Sequence, residues 1–578
     1  MIRIPFLALA ACLAATVAGF AQDEIIGPSR PMADVPRIQP VVAKNGMVVA
    51  QEAIAARIGA DILKAGGNAV DAAVAVGFAM AVTYPRAGNI GGGGFMVIHL
   101  AKSKQNIAID YRETAPAAIT RDSFLNERGD ADPQKSIGTG LGIGVPGTVA
   151  GLALAHRKYG SKKFTLAQLI APAAALARDG FIIEGDLADT FASARVLFVR
   201  WPSSVKVFLK PDGQSYGRGD RLVQTELANT LDAVAKNGPR GFYEGAVAEK
   251  IAASVRSAGG VMTADDLKHY RAVERIPVRG RYRGHDIVSM PPPSSGGTHL
   301  IEMLNVLEGF DLKSPGASSA QTSHLLIETM KRAYADRAVH LGDPDFVKMP
   351  LRGLLSKRYA GTLRTGIGAR ATPASEIRNG DPAAIEGDNT THYSVVDRFG
   401  NAVSNTYTLN LSYGLGLIAD GTGVLMNNEM DDFAAKPGAP NAYGLVGALA
   451  NAPAPRKRPL SSMTPAIVLK DGKVLLVTGS PGGSRIITTV LQVILNVIDH
   501  GMEIGDAVSS PRIHHQWLPD QVSAERGFPL ETVRALEARG HEVMVRQPAT
   551  AANSILVTRK GMIGAADTRT RGALAVGY

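Results

Sequence analysis

Two runs of strand-forming residues, THYSVVD at 391–397 and NAVSNTYTLN at 401–410, are separated only by Arg398, Phe399 and Gly400. So short a connection favours an antiparallel hairpin, with the glycine in the left-handed position that closes a three-residue loop. If Asp397 faces Asn401, facing positions sum to 798, and Thr390 stands opposite Thr408. Facing side chains share one side of a sheet about 4.5–5.5 Å apart. Two threonine hydroxyls are therefore expected side by side at the open end of the hairpin, and a slip of one residue would abolish the pairing. The plainer account is a Thr-rich strand whose hydroxyls merely bond across a sheet.

The stretch before the hairpin argues for more than that. Ala369 to Asn389 is rich in Pro, Gly, Asp, Asn and Ser and carries no helical or strand period. Roughly twenty residues without structural signal inside a compact chain are usually functional or disordered. An internal threonine has no base of its own. A cut between Asn389 and Thr390 would place a new α-amino group beside the Thr390 hydroxyl, and its pKa of roughly 7.7–8 suits a general base near neutral pH. Thr408 would then hold both groups in place.

Elsewhere helical and strand patterns alternate. A helical pattern is read from Met47, broken at Gly66-Gly67, and amphipathic helices are expected at Phe164–Ala177, Leu222–Lys236 and Arg485–His500. NIGGGGFMVIHL and NIAIDYRETAP read as strands, RIPVRGRYRGHDIVSM as a hairpin, and PPPSSGGTHLIEMLNVLEGF as a loop followed by a helix. Mixed elements with many antiparallel hairpins point to an α+β protein with helices covering its sheets. No repeat is present.

The 578 residues carry 62 Lys+Arg against 52 Asp+Glu, a formal charge of +10. The basic residues are scattered, with no aromatic-studded stripe, which argues against a nucleic-acid partner. Met1 to Ala21 reads as an export signal: Arg3, an apolar run too short to be a stable membrane span, then small residues Gly19 and Ala21 before the cut. A periplasmic or secreted protein follows. Leu9-Ala10-Ala11-Cys12 also looks like a lipoprotein box, but the residues after Cys12 stay apolar, and lipidation is the less favoured reading. Cys12 is the only cysteine, so the exported chain would have no disulfide and no thiol chemistry.

TTHYSVVD, YTLN, NNEMDDF, RPLSSM and TGSPGGSRI occur in that order, with GGNAVDAAVA, GNIGGGGF, DYRETAP and PPPSSGGTHL upstream. Together they resemble the γ-glutamyltransferase (γ-glutamyltranspeptidase) family of N-terminal-nucleophile (Ntn) hydrolases, over nearly everything after the signal. The resemblance implies a four-layer αββα sandwich built from both products of one self-cleaved precursor. Residues 22–389 would form a large subunit and 390–578 a small catalytic one, paired as a heterodimer. It implies Thr390 as nucleophile of both self-cleavage and catalysis, with Thr408 as its supporting threonine.

The implied substrates are glutathione and other γ-glutamyl compounds, with water, amino acids or dipeptides as acceptors and no cofactor or metal. The far end of such a substrate is a zwitterion. Its carboxylate calls for a guanidinium fork and hydroxyls, roles that fall to Arg112, Ser461 and Ser462. Its ammonium calls for acids or amides, roles that fall to Glu429, Asp432 and Asn410. By itself NNEMDD reads more simply as a solvated turn. The strand, Gly-rich turn and helix at TGSPGGSRI lack the Gly-Lys-[Ser/Thr] ending of a phosphate loop. The resemblance makes the N–H groups of Gly482 and Gly483 an oxyanion hole instead.

Pro437 to Ala452 resembles the family's lid, with Tyr443 as its gating side chain. His514 and His515 are adjacent, so on a strand they face opposite ways, which argues against a metal site. The rival readings are a cephalosporin (glutaryl) acylase or a poly-γ-glutamate processing enzyme of the same fold. A rival of another class is a non-catalytic γ-glutamyl-peptide binding protein.

Overall fold

The computed structural model describes residues 38–377, 391–442, 445 and 448–578. Asn389, Thr390, Tyr443 and the leader with Cys12 lie outside the described residues.

The hairpin forms with the expected register. Strands Thr391–Asp397 and Ala402–Thr408 pair antiparallel, from Thr391 opposite Tyr407 to Val396 opposite Ala402. Gly400 takes a φ of +82°, and the Asp397 N–H donates to the Asn401 carbonyl at 3.1 Å. The Asp397 carboxylate then fastens the turn, accepting from the N–H groups of Phe399 and Asn401. It also accepts from the Ala69 N–H at the start of a helix, so the turn is tied to the layer above.

The hairpin sits inside a seven-stranded sheet. Strands Leu574–Gly577 and Gly46–Ala50 flank it on one side, and Gly93–Leu100, Gln105–Asp110 and Val273–Arg275 on the other. The second seven-stranded sheet runs Val41–Ala43, Gly561–Ala566, Asn553–Thr558, Lys473–Thr478, Ala466–Lys470, His285–Ser289, Val278–Tyr282. Every neighbouring pair in both is antiparallel.

Alternation along the hairpin builds two cores. Tyr393, Val395, Val403 and Tyr407 join an apolar cluster with the helix Ala69–Thr83, while Val396 and Ala402 join the cluster between the sheets. Polar bonds also cross that inner interface: Ser394 Oγ donates to the Asn553 carbonyl at 2.9 Å and Ser404 Oγ to the Thr478 carbonyl at 3.0 Å. Ala53–Lys64, Ala69–Thr83 and Thr148–Tyr159 cover the outside of the first sheet. Gly296–Leu307 covers the second and is backed by Ala320–His340 and Arg485–Ile498. The result is the expected four-layer αββα sandwich.

One expectation changes. Gly46–Ala50 is a strand, and the helix starts only at Ala53, capped by the Glu52 carboxylate. A short unbroken apolar run fits a strand buried on both faces as well as it fits a helix, and here neighbouring strands on both edges decide. The other helices appear as Leu166–Asp179, Thr225–Asn237 and Arg485–Ile498. Residues 369–377 contain neither helix nor strand. No helix among the described residues is long and apolar enough to cross a membrane.

Candidate active site

The site gathers at one end of the hairpin, where chain segments far apart in sequence meet. Beyond Thr408 the chain turns at Asn410, whose φ of +72° lets its N–H donate back to Thr408 Oγ1 at 2.9 Å. Asn410 Nδ2 reaches the Asn428 carbonyl at 2.9 Å, and the Asn428 N–H returns a bond to the Leu409 carbonyl. The NNEMDD segment is thereby fixed against YTLN. Its Glu429–Asp432 portion forms a single 3-10 turn and is buried.

Arg112 lies just beyond the strand Gln105–Asp110 and is 1% exposed. Its Nε and Nη2 donate to the carbonyls of Pro459 and Leu460, both at 3.1 Å. Its Nη1 is bonded to Glu429 and its Nη2 to Asp432. Glu113 lies 3.8 Å from Nη1. The residues expected to hold opposite ends of a zwitterion therefore bond one another here. Burial opposes the Arg112 charge, but Glu429, Asp432 and Glu113 outweigh it and hold the guanidinium protonated.

Three carboxyl groups thus crowd the Arg112 guanidinium, more than it can bond fully. Burial pushes Glu113 up to about 8 and raises Glu429 and Asp432 as well, against the pull of Arg112. Glu429 Oε2, Asp432 Oδ1 and both Glu113 oxygens have no hydrogen-bond partner among the described residues. Buried acceptors left unpaired are costly, and a cationic donor would relieve that cost.

Ser461 and Ser462 are held by PPPSS. The Ser295 N–H donates to the Ser461 carbonyl at 2.7 Å and the Ser461 N–H to Pro293 at 2.8 Å. Arg337, from the helix Ala320–His340, donates to Ser295 Oγ at 3.0 Å and Ser462 Oγ at 3.3 Å. It is buried, and its charge also favours the Asp432 carboxylate. Asn451 joins the two motifs, donating to the Asp432 carbonyl at 2.6 Å and accepting from the Leu460 N–H. Arg337 lies in no motif and acts through segments remote in the chain, while Asn451 lies in the Pro437–Ala452 segment, where only Tyr443 was singled out. Glu113 could have been found, as it adjoins Arg112 in DYRE.

The turn after strand Lys473–Thr478 brings Gly482 and Gly483 to the start of the helix Arg485–Ile498. Their φ values are +121° and +49°, a region that favours glycine. A Cβ on Gly482 would come within 2.3 Å of the Thr550 side chain. His392, in the strand Thr391–Asp397, packs on Gly479 of the same turn. It also bonds Thr406 Oγ1 at 2.9 Å and Ser394 Oγ at 3.0 Å, and burial pushes its pKa down to about 3, so it is neutral.

His514 and His515 face different partners, Thr488 and Asp520 respectively. No metal-binding group of His, Cys, Asp and Glu is found among the described residues.

Comparisons with known proteins give the family. The sequence model described as gamma-glutamyltranspeptidase matches residues 55–577. The glutathione hydrolase proenzyme of Escherichia coli (strain K12) is 52% identical over 544 residues, 93% of each chain. The cephalosporin acylase from Bacillus halodurans superposes with a TM-score of 0.83 at 27% identity, covering 95% of this chain and 98% of that one. The Helicobacter pylori gamma-glutamyltranspeptidase crystal structure matches at 47% identity and a TM-score of 0.55, covering 57% of this chain and 93% of that one. The chain belongs to the gamma-glutamyltranspeptidase family.

Proposed function

We propose that this protein is an exported γ-glutamyltransferase and glutathione hydrolase that matures by cutting itself between Asn389 and Thr390. In the precursor, Thr390 Oγ attacks the Asn389 carbonyl, the peptide C–N bond breaks, and water hydrolyses the resulting ester. Residues 22–389 and 390–578 remain together as large and small subunits. In the mature enzyme the freed α-amine takes the Thr390 hydroxyl proton as Oγ attacks the γ-carbonyl of the substrate. The N–H groups of Gly482 and Gly483 stabilise the oxyanion, where one such donor is worth on the order of 10²–10³ in rate. Collapse expels the amine, which leaves with the proton, and the γ-glutamyl ester passes to water or to an amino acid or dipeptide.

The observation that favours a γ-glutamyl over a glutaryl substrate is the surplus of buried acid at Glu429, Asp432 and Glu113, with unpartnered oxygens. A glutaryl group has no α-ammonium to offer them. In this reading the ammonium takes over part of the bonding that Glu429 and Asp432 give to Arg112, and the guanidinium, with Ser461 and Ser462, turns to the α-carboxylate. Asn410 completes the ammonium's shell, and Tyr443 closes over the pocket.

A denaturing gel of the purified protein beside Thr390→Ala tests maturation. The wild type should give two bands, about two-thirds and one-third of the chain, and the variant one; an intact, inactive wild type would fit a binding protein instead. Rates on γ-glutamyl-p-nitroanilide and on a glutaryl-cephalosporin test the substrate. Turnover of only the second would make the protein an acylase.

A further inference from the structure

The strand that follows Thr390 has an unfinished edge. Thr391–Asp397 pairs with Gly46–Ala50 from Asp397 opposite Gly46 to Tyr393 opposite Ala50, and there the ladder stops. The partner chain bends at Gln51 because Glu52 must cap the helix Ala53–Lys64. On that edge Thr391 and His392, the first two described residues after the cut, have no strand beside them.

The Gln51 side chain fills the gap. Its Oε1 accepts the His392 N–H at 3.1 Å and the Thr391 hydroxyl. Its Nε2 donates to Thr570 Oγ1 at 3.2 Å, just before the C-terminal strand Leu574–Gly577. The backbone N–H can only donate, which fixes the amide with Oε1 towards the strand. Gln51 is 2% exposed, and Thr391 and His392 are fully buried.

We infer that Gln51 is a positioning residue for the nucleophile, acting through Thr391 and His392; this rests on the maturation reading above. In the precursor, residue 390 is tethered on both sides. Once the peptide bond is cut it becomes a chain end, and strand ends fray unless tied down. A terminal nucleophile must stay within a fraction of an ångström of its attack position. Gln51 supplies the missing ladder bond from the large piece to the small one, so its effect falls on turnover after the cut and little on the cut itself.

The test compares purified Gln51→Met, Thr391→Val and Thr391→Ser with the wild type. A gel reads processing, and steady-state kinetics on γ-glutamyl-p-nitroanilide read kcat and KM. Gln51→Met and Thr391→Val should both be processed and lose tenfold or more in kcat, with KM within threefold. Thr391→Ser, which keeps the hydroxyl, should return to within threefold of the wild type. If Gln51→Met fails to fold, the Thr391 pair decides alone.

A Gln51→Met enzyme with kcat within twofold of the wild type overturns the inference. So does an equal loss in Thr391→Ser and Thr391→Val, or a folded Gln51→Met chain that stays uncut, which would place the role before maturation. An uncut, inactive wild type would defeat the maturation reading itself. A processed and active wild type indifferent to positions 51 and 391 would defeat only this inference.

Discussion

The ring of His392 lies against Gly479 so closely that a Cβ at 479 would stand 2.4 Å from it. This contact joins the strand Thr391–Asp397 to the turn that carries Gly482 and Gly483. A bond at 3.2 Å from the Asn553 N–H to the Gly479 carbonyl, and one of equal length from Asn553 Nδ2 to the His392 carbonyl, strengthen it. In the proposed mechanism, a glycine and a neutral imidazole thus link the strand after the nucleophile to the turn of the oxyanion donors.

Gly479→Ala should therefore separate the two. Overpacking of this kind costs about 1–3 kcal/mol, readable as a lower midpoint in urea. If the strain falls between the proposed nucleophile and oxyanion donors, kcat on γ-glutamyl-p-nitroanilide should fall at least tenfold, on the scale expected of a misplaced catalytic group.

Asp432→Asn keeps the shape of the turn but removes one of the acids around Arg112. If those acids hold an ammonium, KM for γ-glutamyl-p-nitroanilide should rise tenfold or more, about 1.4 kcal/mol of lost binding. Processing on a gel should be retained, since no zwitterion takes part in self-cleavage. A KM within twofold of the wild type would remove Asp432 from the binding role.

Thr408 Oγ1 accepts the Asn410 N–H. Thr408→Val strands that buried donor, a loss of about 1–3 kcal/mol, and takes away the hydroxyl expected beside Thr390. Both the rate of processing on a gel time course and kcat should fall at least tenfold. Thr408→Ser should retain most of each.

Asp431 gives a pH signature. It is buried, accepts from Ser136 Oγ at 2.6 Å and from the Ala442 N–H at 3.2 Å, and burial pushes its pKa up to about 7 from 3.8. Between those values the folded protein holds a proton there that the unfolded chain has released. Its contribution to stability is therefore greatest below pH about 4 and is lost as the pH rises through 7. Asp431→Asn cannot titrate, so its urea midpoint relative to the wild type should rise between pH 5 and pH 8, by about 1–3 kcal/mol in unfolding free energy. Equal differences at both pH values would refute the assignment.

The register of the hairpin was legible because a three-residue turn permits few pairings, and Gly400 and Asp397 carry its chemistry locally. Motif order in the resemblance named Arg112, Glu429, Asp432, Ser461, Ser462, Gly482 and Gly483, all of which the structure describes, whereas Asn389, Thr390 and Tyr443 lie outside the described residues. The Gly46–Ala50 strand was misread as helical because its apolar run has no period of its own. Arg337, Asn451 and Gln51 stayed hidden, since each acts through a single side chain bonded to distant backbone or hydroxyl groups.

The sequence by itself therefore determined the hairpin, its register and the residue types of the site, all properties of short segments and their turns. Only the tertiary structure decided that Arg112 is closed onto Glu429 and Asp432, that acid outnumbers base around it, and that Gln51 completes the strand edge beside Thr391. Those depend on which segments are buried together, where desolvation raises the cost of every unpaired charge and every missing hydrogen bond.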